Sequence, residues 1–177
     1  MKVLFLGATY APPEDRRSSA VERDSVRVDK MTEHGHTVRC VSIVKDSPSH
    51  PWWTCADMGA IDFPERLRDA FGDMVFDVAI VDYAWLPVSL VWLTENGYLK
   101  NNGRMLESMS TLGVPLWIVD NGATRQIVRG QRITWEEARK RLPLLQAEDE
   151  LGYLVGKDIE SNRASHNGWI LISSTSP

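Results

Sequence analysis

The sequence predicts an α/β fold: a mostly parallel sheet of five or more strands with helices on both faces. Three observations carry the prediction. Short, mainly apolar runs end abruptly in turn residues, as in Val3 to Leu6, wholly apolar, before Gly7, Phe76 to Val81, broken only by Asp77, before Asp82, and Val114 to Val119 before Asp120. Continuous apolar runs of this length are the mark of strands buried on both faces. Segments with helix start and stop signals lie between them, and alternation of the two kinds of element is the pattern of an open parallel sheet.

Taken in order, Val3 to Leu6 is the first strand, and Pro12-Pro13 in the loop after it forbids helix there. Ser19 followed by Glu22 reads as a capping box that opens a helix, with Val21, Val28 and Met31 on one face. The helix is expected to stop near His34-Gly35, where glycine suits a left-handed backbone, and Thr37 to Val44 is the second strand. Strand, helix and strand form one right-handed crossover, which makes the two strands parallel.

Ser47 to Gly59 reads as a loop, and Pro64 to Phe71 as a short helix with proline at its first position. Phe76 to Val81 is the clearest central strand. Leu86 to Leu112 is mostly helical, interrupted at Asn96-Gly97 and at Asn101-Asn102-Gly103, and Val114 to Val119 is a further strand. Thr134 and Glu137 form a second capping box, opening a helix that Pro143 breaks; helix resumes to about Leu151, and Trp169 to Ile172 is the last strand. Together these elements predict a Rossmann-like, doubly wound domain spanning 1–177.

Composition agrees with one globular domain: 177 residues, 43% hydrophobic and 25% charged. The net charge of −4 argues against nucleic acid as a partner, because phosphate contacts need a concentrated basic footprint. Arginines between Arg125 and Arg141 are interleaved with Glu136 and Glu137, as on a solvated helix face. Cys40 and Cys55 have no spacing that suggests a disulfide framework or zinc, so no metal site is expected. No run reaches the length of a membrane span and the N-terminus enters a strand at once, so the expected location is cytoplasmic.

Motifs narrow the chemistry. Gly7-Ala8-Thr9 starts like a dinucleotide loop, but Tyr10 and Pro13 stand where further glycines would let backbone approach a pyrophosphate. A nicotinamide enzyme is disfavoured, and no cofactor is expected. A Gly-Lys-Ser/Thr phosphate loop, an acidic pair after the first strand and a G-x-S-x-G elbow are all absent.

Three stretches in order resemble another group. The first runs from Lys2 to Ile43, with Tyr10-Ala11-Pro12-Pro13-Glu14, Ser18-Ser19-Ala20, Glu22-Arg23 and Glu33-His34-Gly35-His36-Thr37-Val38. The second is Phe76 to Pro87, and the third is Gly113 to Gly122, with Trp169 to Ser174 at the position of a closing strand. This succession is similar to the N-terminal, acceptor-side domain of GT-B glycosyltransferases. Those enzymes open with a strand, a proline-containing loop, a double glycine, Ala-Glu-Arg and a helix ending in Arg-Gly-His-x-Val. The chain departs from that pattern in having Ser18-Ser19 for the double glycine and no histidine at Tyr83 to Trp85 or at Asn121.

The resemblance implies a sugar acceptor or nucleotide sugar as ligand and a second domain or partner chain, which includes a homo-oligomer, for sugar transfer. The alternative is a non-catalytic binding module that keeps the fold without the chemistry. Ligands of open parallel sheets bind beyond the carboxyl ends of the strands. That rule nominates the loops Gly7 to Arg17, Asp82 to Pro87 and Asp120 to Arg125, and together with the resemblance it implies Tyr10, Glu14, Ser18, Ser19, Tyr83 and Asn121 as ligand contacts, with Asp82 and Asp120 as candidate bases in place of histidine. Each aspartate reads equally as a strand-end cap. Trp52 and Trp53 are expected to cover an apolar edge of the sheet.

Overall fold

The computed structural model describes residues 1–43, 49–81, 110–120, 130–146 and 168–173. Among them, seven strands form one sheet: β1 (Lys2–Leu6), β2 (Thr37–Ser42), β3 (Trp53–Cys55), β4 (Val78–Val81), β5 (Leu116–Val119), β6 (Gln131–Ile133) and β7 (Trp169–Ile172). Their order is β3-β2-β1-β4-β5-β7-β6. Strands β1 to β5 are parallel, with Leu6 level with Val41 on one side and Val81 on the other.

The helices are α1 (Ser19–Glu33), α2 (Phe63–Phe71) and α3 (Trp135–Arg141). Alternation along each strand divides the core in two. Val3, Phe5, Cys40, Ile80 and Trp117 meet Val28 and Met31 of α1 and Ala138 of α3. Leu4, Leu6, Val41, Ala79 and Ile118 meet Phe63 and Leu67 of α2 on the other face. Each of the larger buried aliphatic or aromatic side chains contributes about 1.5–3 kcal/mol relative to exposure, so the two layers together hold the sheet. The fold is the doubly wound, Rossmann-like α/β sheet that the apolar runs predict.

The start of α1 lies one residue from where the capping motif points. Ser18, extended at φ −131° and ψ 152°, is the cap, and its Oγ accepts from the Val21 N–H at 3.3 Å. Ser19 is already helical, which leaves the N3 position to Val21, so no reciprocal box with Glu22 forms. The end of α1 is as expected. The Gly35 N–H donates to the Thr32 carbonyl at 2.9 Å and the His36 N–H to that of Met31 at 3.0 Å, while Gly35 takes φ +82°. This is the paired-bond terminus that a left-handed residue permits. Thr134 caps α3 by accepting from the Glu137 N–H at 3.2 Å, and Leu142, extended before Pro143, ends it.

Three features differ from the expected layout. Trp53 to Cys55, inside the expected loop, pairs with β2 as an edge strand. Gln131 to Ile133 forms the opposite edge, pairing with β7. Strand β7 runs antiparallel to both β5 and β6, so β6 regains the direction of β5. The Leu86–Leu112 helix lies outside the described residues except for 110–112, which are helical; the stretch toward Leu151 is helical at 144–146 and lies outside beyond that.

Candidate functional site

The strand order reverses between β1 and β4: from β1 the chain continues outward through β2 and β3, and from β4 through β5. The crevice beyond the carboxyl ends of these two strands is where this architecture takes ligands. The segment entering that region from β1 is described in full.

It is held by side chains of α1 and β2. The Gly7 N–H donates to the Val41 carbonyl at 2.7 Å. The Thr9 N–H donates to Asp24 Oδ2 at 3.2 Å, and the Thr9 and Ser42 hydroxyls bond at 2.7 Å. Ser42 Oγ also accepts from Trp53 Nε1–H at 2.9 Å, and Ser25 Oγ accepts the Ala11 N–H at 2.9 Å. Asp24 and Ser25 are buried on α1 beside Val28 and Met31, because the loop packed above them supplies hydrogen-bonding groups, and Arg27 is buried on the same helix.

The electrostatics follow from this burial. Desolvation pushes the Asp24 carboxyl above its ordinary range, against the pull of Arg23 and Arg27 and of the Thr9 N–H. Burial also pushes the Cys40 thiol well up, with Asp24 adding to the effect. Cys40 is therefore a packed apolar group rather than a nucleophile. Arg27 lies over the Phe5 ring, 5.0 Å from its centroid.

Tyr10 is buried. Its hydroxyl donates to Asp29 Oδ1 at 3.1 Å, and its ring meets those of His50 and Trp52 at centroid distances of 4.6 and 5.1 Å. Asp29 also takes the Arg16 guanidinium, whose Nε–H donates to the Ala11 carbonyl at 3.0 Å. Burial, followed by Asp29, raises the Tyr10 phenol, and burial, followed by Arg39, lowers the His50 imidazole. Trp53 is buried within the edge strand and Trp52 is half-buried against Tyr10, so both cover the sheet edge as expected.

Glu14 is exposed in a single 3₁₀ turn, Pro13–Asp15, and Ser18 and Ser19 are exposed at the start of α1. Arg17 beside them is 85% exposed, with Asp15 3.8 Å away. Asp120 follows β5 at the carboxyl edge and is buried, its N–H donating to the Gly168 carbonyl at 2.8 Å. The β1 loop thus joins Tyr10, Glu14, Ser18 and Ser19, while Asp120 stands at the same edge two strands away. Asp82, Tyr83 and Asn121 lie outside the described residues.

The Asp24, Ser25, Asp29 and Ser42 anchors escape sequence reasoning. The available signal was polar residues interrupting the apolar face of α1 at positions 24 and 25. Among the described residues, no group of three or more His, Cys, Asp or Glu side chains is placed to hold a metal ion, and no helix is long and apolar enough to cross a membrane.

No protein-family description matches the chain, and no curated protein matches it in sequence. Among solved structures it is similar to the UDP-glucose 4-epimerase of Thermus thermophilus in complex with NAD, at 14% identity and a TM-score of 0.42. The match covers 88% of this chain and 52% of that enzyme, so the chain spans about half the enzyme's length. A likeness this distant carries no argument about activity.

Proposed function

We propose that the chain is a glycosyltransferase-like domain that binds a nucleotide-type ligand or sugar acceptor at the carboxyl edge of β1 and β4. The observation that carries the reading is the reversal of strand order between those strands, the point beyond whose carboxyl ends this architecture takes its ligands. Exposed Ser18 and Ser19 at the start of α1 support it, since the first N–H groups of a helix favour an anionic group. Arg17 adds an exposed positive charge beside them. Glu14 supplies an acceptor for sugar hydroxyls, and Asp82 or Asp120 the base. Tyr10, whose hydroxyl is committed to Asp29, shapes the site from below. Tyr83 and Asn121 complete the proposed contacts, and sugar transfer calls for a second domain or a partner chain.

The packed state of the β1 loop favours a second reading. Thr9, Tyr10 and Ala11 are buried, so the loop after β1 cannot move toward a reacting centre without breaking the bonds of Thr9 to Asp24 and Ser42, and Ser18-Ser19 stand for the double glycine. A binding module without chemistry has this property.

Calorimetry with uridine, guanosine and adenosine diphosphate sugars separates the readings from a chain that binds none. Saturable heat that falls roughly tenfold in affinity for Arg17→Ala, one lost charge-assisted contact, supports the site. Binding without transfer in the presence of acceptors, alone and with a partner chain, selects the module. Absence of heat with every sugar nucleotide removes both nucleotide readings.

A further inference from the structure

We infer that His50 is a pH-sensitive latch at the sheet edge: its neutral imidazole holds Trp52 against Tyr10, and protonation of the ring releases that contact. Residues 50–53 form a tight turn with Pro51 at its second position, closed by the Trp53 N–H donating to the His50 carbonyl at 3.0 Å. Inside the turn, the Trp52 N–H donates to His50 Nδ1 at 3.1 Å. A backbone N–H can only donate, so Nδ1 must offer its lone pair, and the proton of the neutral ring sits on Nε2. The Trp52 carbonyl accepts the Cys40 N–H of β2 at 2.7 Å. The rings of His50, Trp52 and Tyr10 close on one another, with centroids 4.6 Å apart for Tyr10 and His50, 5.1 Å for Tyr10 and Trp52, and 5.6 Å for His50 and Trp52.

Protonation adds a hydrogen at Nδ1. Two donors then face each other across the 3.1 Å separation, and the inner bond of the turn is lost. The surroundings do not compensate the new charge. Burial opposes it first, and Arg39 on β2 opposes it as a like charge. Asp29 on α1 stands behind the Tyr10 hydroxyl and is taken by that hydroxyl and by Arg16, while Cys40 stays a neutral thiol. Among the described residues no carboxylate pairs with the imidazole. The latch is therefore closed at neutral pH and opens as pH falls below the ordinary histidine value. Tyr10 belongs to the loop after β1, so opening loosens one wall of the proposed site. Only that consequence rests on the ligand reading; the latch is tested without ligand.

NMR of the ligand-free full chain across the histidine range, about pH 7.5 to 4.5, tests it. His50 is expected to titrate below the ordinary value of about 6.5, and the Trp52 amide shift and the loss of Trp52–Tyr10 ring NOEs are expected to follow the same midpoint. His50→Asn keeps an acceptor for the Trp52 N–H, as asparagine does at the first position of such turns, and removes the titration, so its rings stay in contact throughout. His50→Ala has no acceptor at any pH, and its ring contact is expected to be lost already at neutral pH while the core amides of Met31 and Ile80 keep their shifts. A His50 midpoint at or above the ordinary value overturns the inference, as does a Trp52 amide that does not follow it. So does ring contact that His50→Asn loses on acidification as the wild type does, or that His50→Ala retains.

Discussion

Asp24 ties α1 to the loop after β1, and its burial gives stability a particular pH dependence. With the folded carboxyl raised, the native state keeps a proton that the unfolded chain has already lost. This contribution is fully present below the ordinary carboxylate range and declines as pH rises through the folded value. Asp24→Asn keeps an oxygen for the Thr9 N–H and removes the charge. Urea denaturation across the carboxylate range should show a flatter stability profile for that variant. His50 has the opposite sign: its lowered imidazole costs stability as pH falls below the ordinary histidine value.

Two glycines separate space from backbone strain. A Cβ on Gly35 would touch nothing within 4 Å, so only its φ of +82° opposes substitution, and Gly35→Ala should cost about 1 kcal/mol. A Cβ on Gly168 would lie 2.2 Å from the Ile133 carbonyl oxygen at φ +122°, between β6 and β7. Gly168→Ala should cost about 2–4 kcal/mol because backbone on both strands must shift. Chemical denaturation of the two variants side by side checks the difference.

At the level of elements, the cap of α3 is separable from the site. Thr134→Ala removes the bond from the Glu137 N–H and is expected to cost about 1 kcal/mol, lowering the melting temperature without changing ligand affinity. What was legible in the sequence follows the same physics. Strands β1, β4 and β5 were readable because strands buried on both faces are nearly continuously apolar, and β2, interrupted by Arg39, from the helix stop at His34-Gly35 before it. The terminus of α1 was readable because Gly35 is there for its backbone. Strands β3 and β6 were not: three residues each, carrying Thr54, Cys55, Gln131 and Arg132, they have no run to detect. The direction of β7 was hidden because Trp169 to Ile172 is equally apolar in a parallel or antiparallel pair. Within the site, the edge position of Asp120 was readable from the end of an apolar run. The capture of Tyr10 by Asp29 was not, since 19 residues separate them and only the packing of α1 against the loop joins them.

For the molecule as a whole, the sheet presents two opposed edges with different chemistry. The carboxyl edge carries the strand-order reversal, the start of α1 and exposed Arg17; the amino edge carries an apolar groove lined by Leu67, Phe76 and Val114. The central claim is that the carboxyl edge of β1 and β4 is a nucleotide-type ligand site. Amide chemical-shift mapping by NMR during titration with uridine, guanosine and adenosine diphosphate sugars tests it most directly. The account predicts saturable shifts centred on Glu14, Arg17, Ser18 and Ser19. Shifts confined to the amino edge, around Asp73 to Phe76, or no saturable shift with any of these ligands, would contradict it.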